Sequence, residues 1–146
     1  MSSILIIIGL VIIASLAFYA GRLLFLLNQQ ASAQKAVRKS RIGNISESIQ
    51  TIAFAMSQQQ CDLSEGCIRL YKLLEALPID PHPQYATIYP NIYSLYEQIK
   101  HMPTHEQRQQ QSKAERRKMD MQREELESQL ESSILKEIEQ LKKFTI

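Results

Sequence analysis

Four residues have the side chains best suited to chemistry: Cys61, Cys67, His101 and His105. Two thiolates and two imidazoles suffice for a tetrahedral zinc site, and His-x3-His is a recognised ligand spacing. The cysteines fit less well, because Cys-x5-Cys exceeds the usual ligand loop and Pro103 interrupts any helix that would carry both histidines. Cys67 also falls on an apolar helical stripe, where a free cysteine behaves as a small buried hydrophobe. A core thiol with surface histidines is the expected arrangement, without metal or cofactor; a metal or thiol site at these four residues is the alternative. Cys61 precedes a predicted helix N-terminus, a place where a thiol pKa can fall, which leaves a redox role open to it. A Cys61–Cys67 disulfide is not expected in a reducing compartment.

No other catalytic set is visible. The chain has no phosphate-cradling glycine loop, no Gly-x-Ser-x-Gly elbow and no His-Glu-x-x-His helix, and it has only 4 glycines from which to build such loops. His101, His105 and Glu106 read as a polar turn at a proline-broken helix junction. The expectation is a non-enzyme with no catalytic residues and no small-molecule substrate.

Two basic clusters suggest contacts rather than catalysis. Lys35, Arg38, Lys39 and Arg41, with Arg22 upstream, precede the first acid, Glu47, and suit a membrane-proximal segment that contacts anionic lipid. Lys113, Arg116, Arg117 and Lys118 are followed by Asp120, Glu124, Glu125, Glu127 and Glu131, giving a helix that is basic early and acidic later. This second cluster is a solvated face available to a protein partner. RNA contact is the weaker alternative, because the cluster lacks interleaved aromatics to stack bases and the whole chain carries a formal charge of only +2. The aromatic concentration Tyr85, Tyr89, Tyr93 and Tyr96 reads as core packing with hydroxyls at the rim, a peptide-binding patch being the alternative.

The elements that position these residues are helical. Of the first 27 residues 21 are apolar, and the 24 positions from Ile4 to Leu27 would cover about 36 Å as a helix, enough to cross a hydrocarbon layer of about 30 Å. Arg22 near the inner end can snorkel to the headgroups. The Met1-Ser2-Ser3 opening lacks the basic n-region of a signal peptide and the apolar core is too long for one, so an uncleaved anchor is expected. Positive charge follows the span and none precedes it, which orients the N-terminus outside and the remainder in the cytoplasm.

Beyond the polar stretch Asn28 to Gln34, apolar residues recur at steps of three and four: Ile42, Ile45, Ile49, Ile52, Met56; then Leu63, Cys67, Leu70, Leu74, Leu77; then Ile88, Ile92, Leu95, Ile99, Met102. Asp62 with Glu65 suits a capping box for the second stripe, Ser64 being the alternative cap. Pro78 and Pro103 end the second and third. Thr104 with Gln107 predicts the start of a long polar helix whose stripe, Met119, Leu126, Leu130, Ile134, Ile138 and Leu141, becomes dense only late. Residues 107–118 have almost nothing to bury and are expected to project into solvent or fray. The predicted fold is all-α: an N-terminal transmembrane anchor over 1–27, a basic juxtamembrane segment over 28–41, and a small cytoplasmic helical bundle over 42–146 with a long C-terminal helix.

The blocks Gln60-Cys61-Asp62-Leu63-Ser64-Glu65-Gly66-Cys67-Ile68-Arg69-Leu70 and His101-Met102-Pro103-Thr104-His105-Glu106, with the Arg123-to-Glu127 tail, resemble a gammaproteobacterial family of unknown function that joins a short N-terminal span to a cytoplasmic helical domain. The resemblance covers most of residues 28–146. It implies a single-pass protein of the bacterial inner membrane and assigns no activity, cofactor or site residue. The functional expectation is a membrane-anchored helical module that mediates protein-protein interaction through its long C-terminal helix.

Overall fold

The computed structural model describes residues 2–103 and 108–146; the Thr104–Gln107 start, His105 and Glu106 lie outside the described residues. Five helices are described: α1 Ser2–Ser57, α2 Leu63–Glu75, α3 Tyr85–Ile88, α4 Pro90–Ile99 and α5 Lys113–Leu141. No strand occurs among the described residues. The chain is all-α, and it divides into two units, Met1–Ser40 and Arg41–Ile146.

The first unit is a helix whose apolar side chains are exposed on every face, from Ile4 and Leu5 through Phe18 to Leu26 and Leu27. It is long and apolar enough to cross a membrane, and none of its apolar stretch is buried among the described residues. The polar stretch Asn28 to Gln34 is helical as well. Alanine, glutamine and lysine favour helix, and neither glycine nor proline interrupts residues 22–42.

The second unit has its own core. Ile49, Ala53 and Met56 from α1 meet Cys67, Leu70 and Leu74 from α2, Ile92, Leu95 and Ile99 from α4, and Ile134, Ile138 and Leu141 from α5. All but Ala53 belong to the four apolar stripes, so the spacing of three and four selects the buried face of each helix; in α1 the centre of that face falls on Ala53, and the stripe residue Ile52 is only partly buried. α4 packs against both α2 and α5. Gly66 allows α1 and α2 to approach: a Cβ there would stand 2.2 Å from Met56 Sδ. Beyond α5, Phe144 is buried, and its carbonyl accepts a bond from Gln50 Nε2 at 2.7 Å, tying the C-terminal segment to α1.

Three local expectations are corrected. The Ile88–Met102 stripe is not one helix, because Pro90 disfavours helical backbone at Tyr89, which sits at φ −124° and ψ 62°. Pro90 instead opens α4 at its first position, where its missing N–H costs nothing, and Ile88 remains half exposed in the one-turn α3. At α2, Asp62 holds the N-cap position but makes no side-chain cap bond, and Ser64 lies inside the helix. The long helix takes its cap from Ser112: Glu115 N donates to Ser112 Oγ at 3.3 Å and Ser112 N donates to Glu115 Oε2 at 3.0 Å. This is a reciprocal capping box. Residues 113–118 are therefore helical, and the bonds that Ser112 N and Ser112 Oγ donate to the Glu115 carboxylate hold it below its ordinary pKa.

Candidate functional site

The capping box starts α5 in a fixed register and sorts the basic cluster into two faces. Lys113, Arg117 and Lys118 are exposed, whereas Arg116 is half-buried. Arg116 and Arg123, seven residues apart, share a face of α5. Asp120 lies between them and accepts from Arg108 Nη2 at 2.7 Å and from Arg123 Nη2 at 3.3 Å. The Arg108–Asp120 pair joins Arg108 to the first part of α5.

Arg108, Arg116 and Arg123 line one side of an open cleft of ≈ 780 Å³, whose floor includes Ile68, Ile99 and Met102. Carboxylates line it from both helices, Asp62 and Glu65 at the start of α2 and Glu124 and Glu127 of α5, with Glu127 accepting a bond from Ser64. Cations and carboxylates alternate along α5, where Arg123 Nε stands 4.0 Å from Glu127 Oε1. Among the described residues Arg116 Nε and Gln111 Oε1 are buried without a hydrogen-bond partner, and both border a pocket beside the cleft of ≈ 20 Å³, room for one water.

The cysteines and histidines behave differently. Cys67 is fully buried, and its thiol is pushed up to about 12 by burial first and by Glu137 and Glu127 second. A thiol of that kind supplies no thiolate near neutrality, so Cys67 is a packing residue. Cys61 is half-buried and not disulfide-bonded. Burial and the neighbouring Glu65 raise its pKa against the opposing pull of Arg69, the reverse of what its place before a helix suggests. His101 is exposed beyond the end of α4. Among the described residues no three of the histidines, cysteines and acids gather to hold a metal; His105 lies outside them.

The tyrosines fall into two groups. Tyr85 and Tyr89 are core residues. Tyr93 and Tyr96 pack from α4 on Tyr71 of α2, with ring centroids 4.9 Å and 3.6 Å apart, and Tyr93 donates its hydroxyl to Glu75 Oε1 at 2.5 Å. Core and rim packing therefore accounts for all four.

One polar residue that no motif points to organises the bundle. Glu137 of α5 is buried, and its carboxylate accepts from Asn91 N at 2.9 Å, Asn91 Nδ2 at 2.6 Å and Ile92 N at 3.0 Å. It caps α4 from another helix, satisfying N–H groups left without intrahelical partners. The sequence signal is faint but real: Glu137 stands three residues after Ile134 and beside Ile138, on the buried face of α5.

A family model described as protein of unknown function (DUF2489) matches residues 13–141. The chain belongs to that family. It is also 37% identical over 132 residues to a protein of Haemophilus influenzae described as uncharacterized, covering 90% of this chain and 87% of the relative. No solved structure matches. The match extends from within the apolar part of α1 to the last residue of α5, so family membership spans both units.

Proposed function

We propose that this DUF2489 chain is a single-pass anchor of a bacterial inner membrane that holds a helical interaction module at the cytoplasmic face, with its N-terminus in the periplasm. The observation that carries the reading is the stretch Ile4 to Leu27 of the first unit, apolar all round and covered by none of the other described residues. Such a surface is stable in lipid and a liability in water. The charge asymmetry across the span supports the orientation, and the Haemophilus influenzae relative supports the bacterial setting.

The interaction role follows from α5. Its fully buried side chains begin only at Ile134, so its earlier turns present more surface than the core uses, including the exposed cations Lys113, Arg117 and Lys118. Those cations face a protein partner of acidic character. No catalytic arrangement emerges from the cleft, the thiols or the tyrosines.

The anchor is tested by extracting cell membranes at high pH and weighing the retained chain by mass spectrometry. An intact N-terminal segment in the membrane pellet supports it; a chain shortened within its first 30 or so residues shows a processed leader instead. Reporter fusions at the C-terminus, active only in the cytoplasm or only in the periplasm, decide orientation. For the partner, crosslinking in intact cells should capture a protein that Lys113→Glu/Arg117→Glu/Lys118→Glu no longer captures. Identical capture by that variant removes α5 from the role.

A further inference from the structure

We propose that Lys35, Arg38 and Lys39 form a docking collar for the anionic phospholipid headgroups of the leaflet from which α1 emerges, a reading that rests on the membrane anchor proposed above. The three cations stand three and four residues apart, which places them on one side of the helix, and all three are exposed. α1 is unbroken from Ser2 to Ser57, so their distance from the apolar stretch is set by helical rise. Counting from Leu27, the backbone of Lys35 lies about 12 Å farther along and that of Lys39 about 18 Å, beyond a headgroup layer about 5–8 Å thick.

Helical side chains lean toward the helix N-terminus, which here means back toward the bilayer. Their length brings the Lys35 ammonium to the headgroup layer and the Arg38 and Lys39 heads within about 8 Å of it, the reach of charge at physiological salt. The spacer from Asn28 to Gln34 is uncharged, and no carboxylate precedes Glu47 in the sequence. The local sequence around these cations thus carries positive charge alone. Charge complementarity selects a headgroup with net negative charge over a zwitterionic one. A soluble polyanion has to be captured from solution, whereas headgroups are held beside the collar by the span itself.

The test uses the full chain in nanodiscs of phosphatidylcholine, with spin-labelled phosphatidylglycerol or spin-labelled phosphatidylcholine as the probe of lipid at the protein perimeter. At low salt the phosphatidylglycerol probe should be preferred by about fivefold or more, the equivalent of one near-surface cation. The preference should fall toward one at about 1 M salt and in Lys35→Gln/Arg38→Gln/Lys39→Gln, while Lys35→Arg/Lys39→Arg keeps it. A wild-type chain without preference at low salt, or a triple variant that retains it, overturns the collar. A chain that never enters the discs overturns the anchor reading instead, so the two failures are distinct.

Discussion

Glu137 shows how one side chain can set the relation between two helices. Its carboxylate receives three N–H donors from Asn91 and Ile92 at the start of α4, in a place closed to solvent. Glu137→Gln preserves the shape but turns an amide N–H₂ toward donors, so it should lower unfolding stability by about 1–3 kcal/mol, measured by urea titration of the detergent-solubilised chain. An unchanged midpoint would mean that α4 holds its start without the carboxylate. Cys67 makes a second prediction at this scale. Its thiol binds its proton more tightly when folded than in the unfolded chain, with the folded pKa at about 12 against an ordinary 9.0. Below pH 9 both states are protonated and the thiol is neutral in the balance; above it the unfolded state loses the proton first, so stability falls as pH rises from 9 toward 12. Buried tyrosines act in the same direction, Tyr85, Tyr89 and Tyr93 all being raised by burial first. The readout is therefore the difference: Cys67→Ala should make the decline between pH 9 and 11 shallower than in the wild type. In the native chain at pH 7.5 a thiol reagent should label Cys61 and leave Cys67 untouched.

At the scale of the element, the end of α1 offers an opportunity for stabilisation. Gln59 sits at φ 55°, Gln60 N donates to Ala55 O at 2.9 Å, and Gln59 N donates to Met56 O at 3.0 Å. This is the paired closure that helices make with a left-handed residue, a position that glycine takes without penalty and other residues take at about 1–2 kcal/mol. Gln59→Gly should therefore raise stability, by about 1 kcal/mol after the flexibility it adds to the unfolded chain, and a lowered melting temperature would contradict it. Elements were also where the sequence was most readable. The step of three and four at Ile49, Ile52 and Met56, at Leu70 and Leu74, and at Ile134, Ile138 and Leu141 is local, because a helix repeats itself within a few residues. What escaped reading was relational. Pro90 can end one helix or begin another, and only the packing of Tyr85 and Tyr89 in the core decides that it begins α4. Ser112-x-x-Glu115 is a plain capping pattern that competes on paper with Thr104-x-x-Gln107. The bond from Glu137 to a helix 45 residues earlier leaves no periodic trace. Of the candidate site, Cys67 was legible as a core thiol, whereas the half-burial that raises the Cys61 pKa was not, and the arginine-lined cleft depends on residues of α2, α4 and α5 meeting in space.

On the scale of the whole molecule, the two units carry different solvents' demands, and a truncation series separates them. Every fully buried apolar side chain, from Ile49 to Leu141, lies within Arg41–Ile146. The apolar helix before it contributes nothing to that core. A chain beginning at Arg41 should therefore be recovered in the soluble fraction without detergent, with helical circular dichroism and a cooperative unfolding transition. A chain beginning at Gln58 loses Ile49, Ala53 and Met56, the last of which packs over Gly66, together with the Gln50–Phe144 bond. Removing large buried side chains costs about 2–5 kcal/mol each, and a domain of this size has about 5–15 kcal/mol in all. That shorter chain should show no cooperative transition and should be cut rapidly by protease. The same arithmetic applies at the other end: deleting residues 107–146 removes Ile134, Ile138, Leu141 and the Glu137 cap, so loss of a partner from such a deletion would report unfolding, and only surface substitutions at Lys113, Arg117 and Lys118 can report binding. If the chain beginning at Gln58 melts like the chain beginning at Arg41, the last four turns of α1 are not part of the core, and the division of labour between an anchor and an independently folded module would have to be redrawn.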